Sequence, residues 1–182
     1  DLILDVTNKT RVVESLKANE IDFALVSVPP EKLAYEEEEL IENLIYFVGN
    51  RPEPQPDKPL IFREPGSATR KAMEEYFRLQ PGKARKQLEL TSNEAVKQAV
   101  VAGLGQSLLP LIGIKNELLN GQLFILPAAD LPIRTTWRLI WLEGKQLSPV
   151  AQAYLDFVRQ EKAHILRSYF QWYLDFRPFN PT

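Results

Sequence analysis

The sequence of 182 residues contains no cysteine and only one histidine, His164. The absence of cysteine excludes disulfides, thiolate metal sites and a cysteine nucleophile. A single histidine excludes any metal site that needs several histidine ligands. We therefore predict no metal site, and no motif in the chain indicates a cofactor.

The chain also lacks a basic excess and a long apolar run. It has 22 Lys and Arg against 24 Asp and Glu, a formal net charge of -2, whereas proteins that grip nucleic acid carry clustered basic side chains. DNA binding by this chain itself is therefore not expected. No apolar run approaches the roughly 20 residues that cross a bilayer, and no segment resembles a signal peptide. We expect no membrane partner and a cytoplasmic location.

What the chain does have is the composition of a folded domain. Hydrophobic residues make up 45% and charged residues 25%, which is typical of a protein with a real core. Short apolar runs alternate with helical periodicities, and this alternation predicts an α/β fold with mainly parallel sheets. The predicted strands are Leu2–Val6, Ile21–Val28, Asn43–Val48, Leu60–Phe62, Gln87–Leu90, Gln106–Leu109, Gln122–Leu126 and Ile133–Leu142. Helices are predicted around Val12–Lys17, after Ser67, and over Glu94–Ala102, Leu111–Leu119 and Val150 to about Phe170.

Two stretches have an unusual composition. The run Glu36–Glu39 contains potential metal ligands, but like charges in a row are more typical of a solvated strand or loop edge. Four prolines within Arg51–Pro59 predict a linker or a stiff surface loop.

The simplest packing of the predicted elements places residues of about 1–49 and 134–182 in one lobe and about 50–133 in the other.

The most informative stretch is the junction from Leu60 to Phe77. A short apolar run is followed by a turn at Pro65 and Gly66, and Ser67 then stands where a helix N-cap belongs. A serine oxygen there can accept a hydrogen bond from the start of the helix, and Thr69 adds a second hydroxyl. The free N–H groups and the positive dipole end of such a helix suit an anion. Ordinary capping without a ligand remains the alternative.

Several motifs occur in a characteristic order and spacing. They are Thr10–Leu25 (TRVVESLKANEIDFAL), Pro65–Arg70 (PGSATR), Thr91–Pro110 (TSNEAVKQAVVAGLGQSLLP), Gly121–Leu123 and Leu147–Phe157. Over about residues 1–160, this pattern resembles the effector-binding domain of LysR-type transcriptional regulators.

The resemblance implies a fold like that of the type 2 periplasmic binding proteins, with two α/β lobes and an inter-lobe cleft for a small effector. Effector contacts in the family cluster at helix N-termini. On this sequence they correspond to Asn8 and Thr10 in the first lobe and to Ser67 and Thr69 in the second. Asn93 lies near the same edge, although a capping role also explains it. A small carboxylate or another anion fits these donors best.

The resemblance also indicates what this chain does not contain. The family's winged helix-turn-helix and linker helix are missing from it, as are the first strand and first helix of the effector domain. DNA is therefore expected to be bound only through the absent domain, in a full-length homodimer or homotetramer. We hypothesise that the aromatic tail Tyr169–Phe179 covers part of the gap, because so many rings are unfavourable in water.

Two other functions remain open. One is a stand-alone solute-binding protein for transport, which shares the fold. The other is an enzyme in which Ser67 is the nucleophile and His164 the base. A base must lie within hydrogen-bond reach of its nucleophile, and His164 falls late in the terminal helix among apolar or basic residues. We therefore predict no catalytic residue.

Overall fold

The computed structural model describes residues 3–80 and 85–177. Among these residues the chain forms two compact units. The first contains the chain up to Glu42 together with Thr135–Phe176, and the second contains Asn43–Arg134 and Arg177. The chain passes between the units within two strands, β2 (Tyr35–Gly49) and β7 (Ile133–Leu142).

The first unit is built on strand β7. Strand β1 pairs with it antiparallel, with Ala24 opposite Ile140, and the order of neighbouring strands is β1, β7, β2. Besides parts of β2 and β7, the unit contains α1 (Lys9–Lys17), β1 (Ala24–Val26), α5 (Pro149–Tyr169) and α6 (Gln171–Leu174).

Across both units, none of the described helices combines the length and the apolar character that a membrane span requires.

The core of the first unit lies on both faces of β7, because successive side chains of a strand point to opposite sides. On one face Ile140 packs with Leu16 of α1. On the other face Leu139 and Trp141 pack with Leu155 of α5. The two helices are therefore held on different faces of the same strand.

The strand predicted at Leu2–Val6 is not found among its described residues, and Leu2 lies outside them. Residues 3–6 have no strand conformation, and Ile3, Leu4 and Val6 are 91%, 80% and 86% exposed. An apolar run becomes a strand only when a neighbouring strand supplies hydrogen bonds, and no described strand pairs with this segment. Of the first three predicted elements, the helix and the second strand are therefore found, as α1 and β1.

The second unit alternates strands and helices from β3 onward. The helices pack an apolar side on the strands, as Met73 and Tyr76 of α2 do against Phe62 and Leu108. The unit contains part of β2, then β3 (Leu60–Arg63), α2 (Ala68–Leu79), β4 (Gln87–Leu90), α3 (Asn93–Val101), β5 (Ser107–Pro110), a 3-10 turn at Leu111–Gly113, α4 (Lys115–Leu119) and β6 (Phe124–Ile125).

Parallel pairing, expected from the sequence for most of the sheet, is found in part of the second unit, and several of the other described strand pairs are antiparallel. Strands β3 and β4 are parallel, and Leu60 forms a parallel bridge with Gln106. Strand β2 runs antiparallel to β5 and β6, as β1 does to β7. Parallel neighbours need a long crossover, which α2 and α3 supply.

Candidate functional site

The start of α2 has the predicted cap. Gly66 has a φ of 90°, a left-handed conformation that glycine adopts without strain, and the turn is closed by the Ser67 N–H donating to the carbonyl of Glu64 at 3.2 Å. The Ser67 hydroxyl oxygen accepts from the N–H of Arg70 at 3.4 Å. The prediction that Ser67 is an N-cap is confirmed.

This capped end leaves donors available for a ligand. The N–H groups of Ala68 and Thr69, the first two residues of α2, have no carbonyl one turn earlier within the helix to bond to. The hydroxyl of Thr69, a half-buried residue, lies in the same turn. The helix dipole adds a partial positive charge at this end. The arrangement can hold one oxygen-rich group of a small anion.

Arg63 joins the start of α2 to the start of α3. Its Nε and Nη2 atoms lie 2.8 and 2.9 Å from the two carboxylate oxygens of Glu64. Its Nη1 atom donates to Oδ1 of Asn93 at 2.5 Å. Through Arg63, the structure connects Asn93 with the turn that carries Ser67.

The capping explanation for Asn93 is wrong. The N-cap of α3 is Ser92, which has an extended backbone and accepts from the N–H of Ala95 at 3.0 Å. Asn93 is the first helical residue, and its side chain bonds to Arg63 instead. The half-buried Asn93 is therefore not needed to cap the helix.

The second cation near α2 is already paired. Arg70 donates from Nε to Glu74 and from Nη1 to Glu89, at 2.6 Å in both cases. These hydrogen bonds, first that with Glu74, raise the pKa of Arg70. With both guanidinium groups engaged by carboxylates, an anion at this end of the unit would be held mainly by N–H, hydroxyl and amide donors.

Asn8 and Thr10 lie together at the start of α1 in the first unit. Asn8 is the N-cap, and its Oδ1 atom accepts from the N–H of Arg11 at 3.2 Å. Thr10, the second helical residue, is exposed. The two residues thus repeat the pattern of Ser67 and Thr69, a cap followed by a hydroxyl in the first turn.

A groove lined by residues before and within α1 is a poor anion site. It has a volume of about 530 Å³ and is lined by residues that include Asp5, Arg11, Glu14 and Glu20. The three carboxylates outnumber the single guanidinium, so that an anion would be repelled.

The two residues named for the enzyme alternative, Ser67 and His164, belong to different units. His164 is exposed on α5 in the first unit, with its Nε2 atom 3.5 Å from the hydroxyl of Ser168. Ser67 belongs to the second unit and is bonded to the backbone of Arg70. In residues 3–80 and 85–177, no group of three or more His, Asp or Glu side chains could hold a metal ion.

Sequence reasoning missed Arg63 and Glu64. For the neighbouring pair Arg70 and Glu74, the spacing of four residues in a helix is a sequence signal that predicts their ion pair. The contact between Arg63 and Asn93 joins residues 30 positions apart, and no local pattern predicts it.

Comparison with known proteins gives one consistent family. The model of the LysR substrate binding domain matches residues 1–163. A RuBisCO operon transcriptional regulator of Allochromatium vinosum is 37% identical over 180 residues, which covers 90% of this chain and 58% of the relative. The transcriptional activator CmpR of Synechocystis sp. is 36% identical over 166 residues, covering 85% and 55%. The chain thus spans about half the length of these curated relatives.

Solved structures agree with these relatives. The regulatory domain of CcmR from Synechocystis PCC6803, in complex with 2-PG, superposes with a TM-score of 0.81 at 32% identity, covering 89% of this chain and 83% of that one. Full-length HypT from Salmonella typhimurium gives a TM-score of 0.76 at 22% identity, covering 89% and 59%. The second likeness concerns the fold alone.

Proposed function

We propose that this chain, which belongs to the LysR substrate-binding domain family and is a ligand-sensing regulatory domain, recognises a small carboxylate or another small anion. The two-lobed, periplasmic-binding-protein-like α/β fold predicted from the sequence is confirmed. In the second unit, Ser67, Thr69 and Asn93 would contact the effector. Asn8 and Thr10 are the contacts proposed for the first unit.

The observation that carries this proposal is the set of uncompensated donors at the start of α2. A helix N-terminus with free N–H groups favours negatively charged oxygen, and the hydroxyl of Thr69 lies in the same turn. The CcmR regulatory domain, 32% identical, was solved with 2-PG, which is 2-phosphoglycolate. This molecule carries both a carboxylate and a phosphate, and we propose it as the first effector to test.

The strength of such contacts is sufficient for regulation. Moving a two-state equilibrium from one state almost wholly to the other takes about 5.5 kcal/mol of differential binding. Hydrogen bonds to a charged group contribute about 1.5–3 kcal/mol each. Helix dipoles add about 0.3–1 kcal/mol each. Two or three such bonds therefore reach the required range when they form in only one of the two states.

For the whole protein we propose a cytoplasmic regulator of transcription. The curated relatives described above are regulators, among them one named for the RuBisCO operon, and they are not enzymes. DNA would be bound by a winged helix-turn-helix outside this chain, in a homodimer or homotetramer. The observations favour neither the enzyme nor the transport alternative.

Isothermal titration calorimetry tests the effector class. We expect 2-phosphoglycolate to bind, and glycolate and inorganic phosphate to bind more weakly because each offers only one of its two anionic groups. A thermal-shift screen of small carboxylates and phosphate esters extends the test beyond one compound. Absence of binding by 2-phosphoglycolate, together with no anion that raises the unfolding temperature, would refute the proposal.

A further inference from the structure

Arg63 contacts both helix starts of the second unit that carry proposed effector residues. Its guanidinium donates two hydrogen bonds to the carboxylate of Glu64 in the turn before α2 and one to Asn93 at the start of α3. Its own carbonyl accepts from Nη1 of Arg70, in the first turn of α2, at 2.8 Å. One residue at the end of β3 therefore holds the two helix starts in a fixed relation.

The same contact determines which end of the Asn93 amide is available. A guanidinium has only donors, so the atom that faces Arg63 must be the amide oxygen. The Nδ2 group consequently faces away from Arg63. In the described part of the chain, no acceptor lies within hydrogen-bond distance of it. Arg63 thus makes Asn93 a donor on its remaining side.

We propose that Arg63 is a positioning residue for the effector, which sets the spacing between the donors of α2 and the Asn93 amide and turns that amide toward an anion. This inference rests on the proposed function. The planar fork of arginine holds Glu64 through two parallel bonds while a third N–H reaches Asn93. Lysine keeps the charge but has no fork, so it cannot fix both partners in one geometry.

Arg63→Lys tests positioning at constant charge, and Asn93→Asp tests the loss of the amide donors, to which its added negative charge contributes, while the helix start is kept. Arg63→Lys retains the cation beside Glu64 and loses the fixed link to Asn93. Asn93→Asp retains an acceptor for Arg63 and removes the amide donors, and an acidic residue in a first turn favours the helix. We expect each variant to bind 2-phosphoglycolate roughly tenfold more weakly or worse. The unfolding temperature of Asn93→Asp should not fall.

A spectroscopic readout distinguishes positioning from general support of the fold. The side-chain amide signal of Asn93 in a proton–nitrogen correlation spectrum is identified by its disappearance in Asn93→Asp. We expect this signal to shift when 2-phosphoglycolate is added to the wild type, and to differ in ligand-free Arg63→Lys. Arg85→Lys is the matched control, because Arg85 contacts Gln55, Lys58 and Gln106 and not the two helix starts.

The outcomes separate the two proposals. If the wild type binds 2-phosphoglycolate and both variants bind it equally well, the positioning role of Arg63 is overturned and the proposed function stands. A wild type that binds no small anion overturns both. If Arg63→Lys does not fold, Asn93→Asp decides alone: wild-type affinity in that variant overturns the role assigned to the Asn93 amide.

Discussion

The guanidinium of Arg85 lies against the side chain of Gln106, with 2.7 Å between Nη2 and Oε1. Gln106 is 1% exposed, and the same guanidinium donates to the carbonyl oxygens of Gln55 and Lys58. Burial lowers the pKa of Arg85. Arg85 therefore fastens the proline-rich loop before β3 to the residue before β5.

Arg85→Met should destabilise the protein, because it leaves the buried oxygen of Gln106 without its donor. An unsatisfied buried acceptor costs about 1–3 kcal/mol, and urea denaturation measures the loss. The exposed neighbour Lys86 provides the control, since Lys86→Met should change the free energy of unfolding by no more than about 0.5 kcal/mol. Equal losses in both variants would contradict the role given to Arg85.

The double variant Ser67→Ala and Thr69→Ala should bind the effector more weakly while remaining folded. It removes two hydroxyls from the proposed site, and loss of the cap costs about 1 kcal/mol of stability. Ser148→Ala is matched to it, because the Ser148 hydroxyl caps α5 by accepting from Ala151 at 3.2 Å. Calorimetry with 2-phosphoglycolate should show reduced affinity only in the first variant. Similar affinity in both would remove Ser67 and Thr69 from the site.

Glu38 should make the stability of the protein depend on pH. Hydrogen bonds from Lys162 and then Arg159 outweigh burial and lower the pKa of Glu38 below its ordinary value of 4.5. A carboxylate with a lowered folded pKa stabilises above its unfolded pKa, and the contribution is lost as pH falls through the folded pKa. Glu38→Gln should therefore be less stable by about 1 kcal/mol at about pH 7, and the difference should shrink below pH 4.5.

Urea titrations of wild type and Glu38→Gln, from about pH 7 to about pH 3, follow this window. Glu36→Gln is the control, because Glu36 is exposed in the same strand. A constant difference between wild type and Glu38→Gln across the range would disprove the linkage.

Gly105 should not tolerate a side chain. A Cβ atom there would lie 2.5 Å from the carbonyl oxygen of Pro59 and 2.7 Å from a side-chain carbon of Ile61. Gly105→Ala should cost about 1–3 kcal/mol, as overpacking does. At Gly113 nothing lies within 4 Å of such an atom, so Gly113→Ala should be neutral or slightly stabilising. Comparison of the two midpoints in urea checks both expectations.

Local sequence patterns predict those features of the structure that depend on residues only a few positions apart, such as helix caps. The cap predicted at Ser67 follows from which residues satisfy a helix start, and the glycine after α3, Gly103, has the positive φ of 76° that suits a helix end. The caps Asn8 and Ser148 are of the same kind. The order of motifs along the chain was sufficient to indicate the family.

Features that depend on distant partners could not be predicted in this way. The acidic run, expected as a solvated strand or loop edge, lies in the 15-residue strand β2. The ion pairs of Glu39 with Arg138 and of Glu38 with Lys162 and Arg159 were not predicted. These cations lie 99 to 124 positions away in sequence. The link between Arg63 and Asn93 escaped prediction for the same reason.

The interrupted path of the chain through the first unit has a consequence for biosynthesis. Nearly all of the second unit comes from one uninterrupted stretch, Asn43–Arg134, whereas the first unit needs Thr135–Phe176 to join the residues up to Glu42. As the polypeptide leaves the ribosome, the inserted unit can complete its core while the other still lacks β7 and α5. Because domains generally fold as units during synthesis, the unit that begins first should finish last.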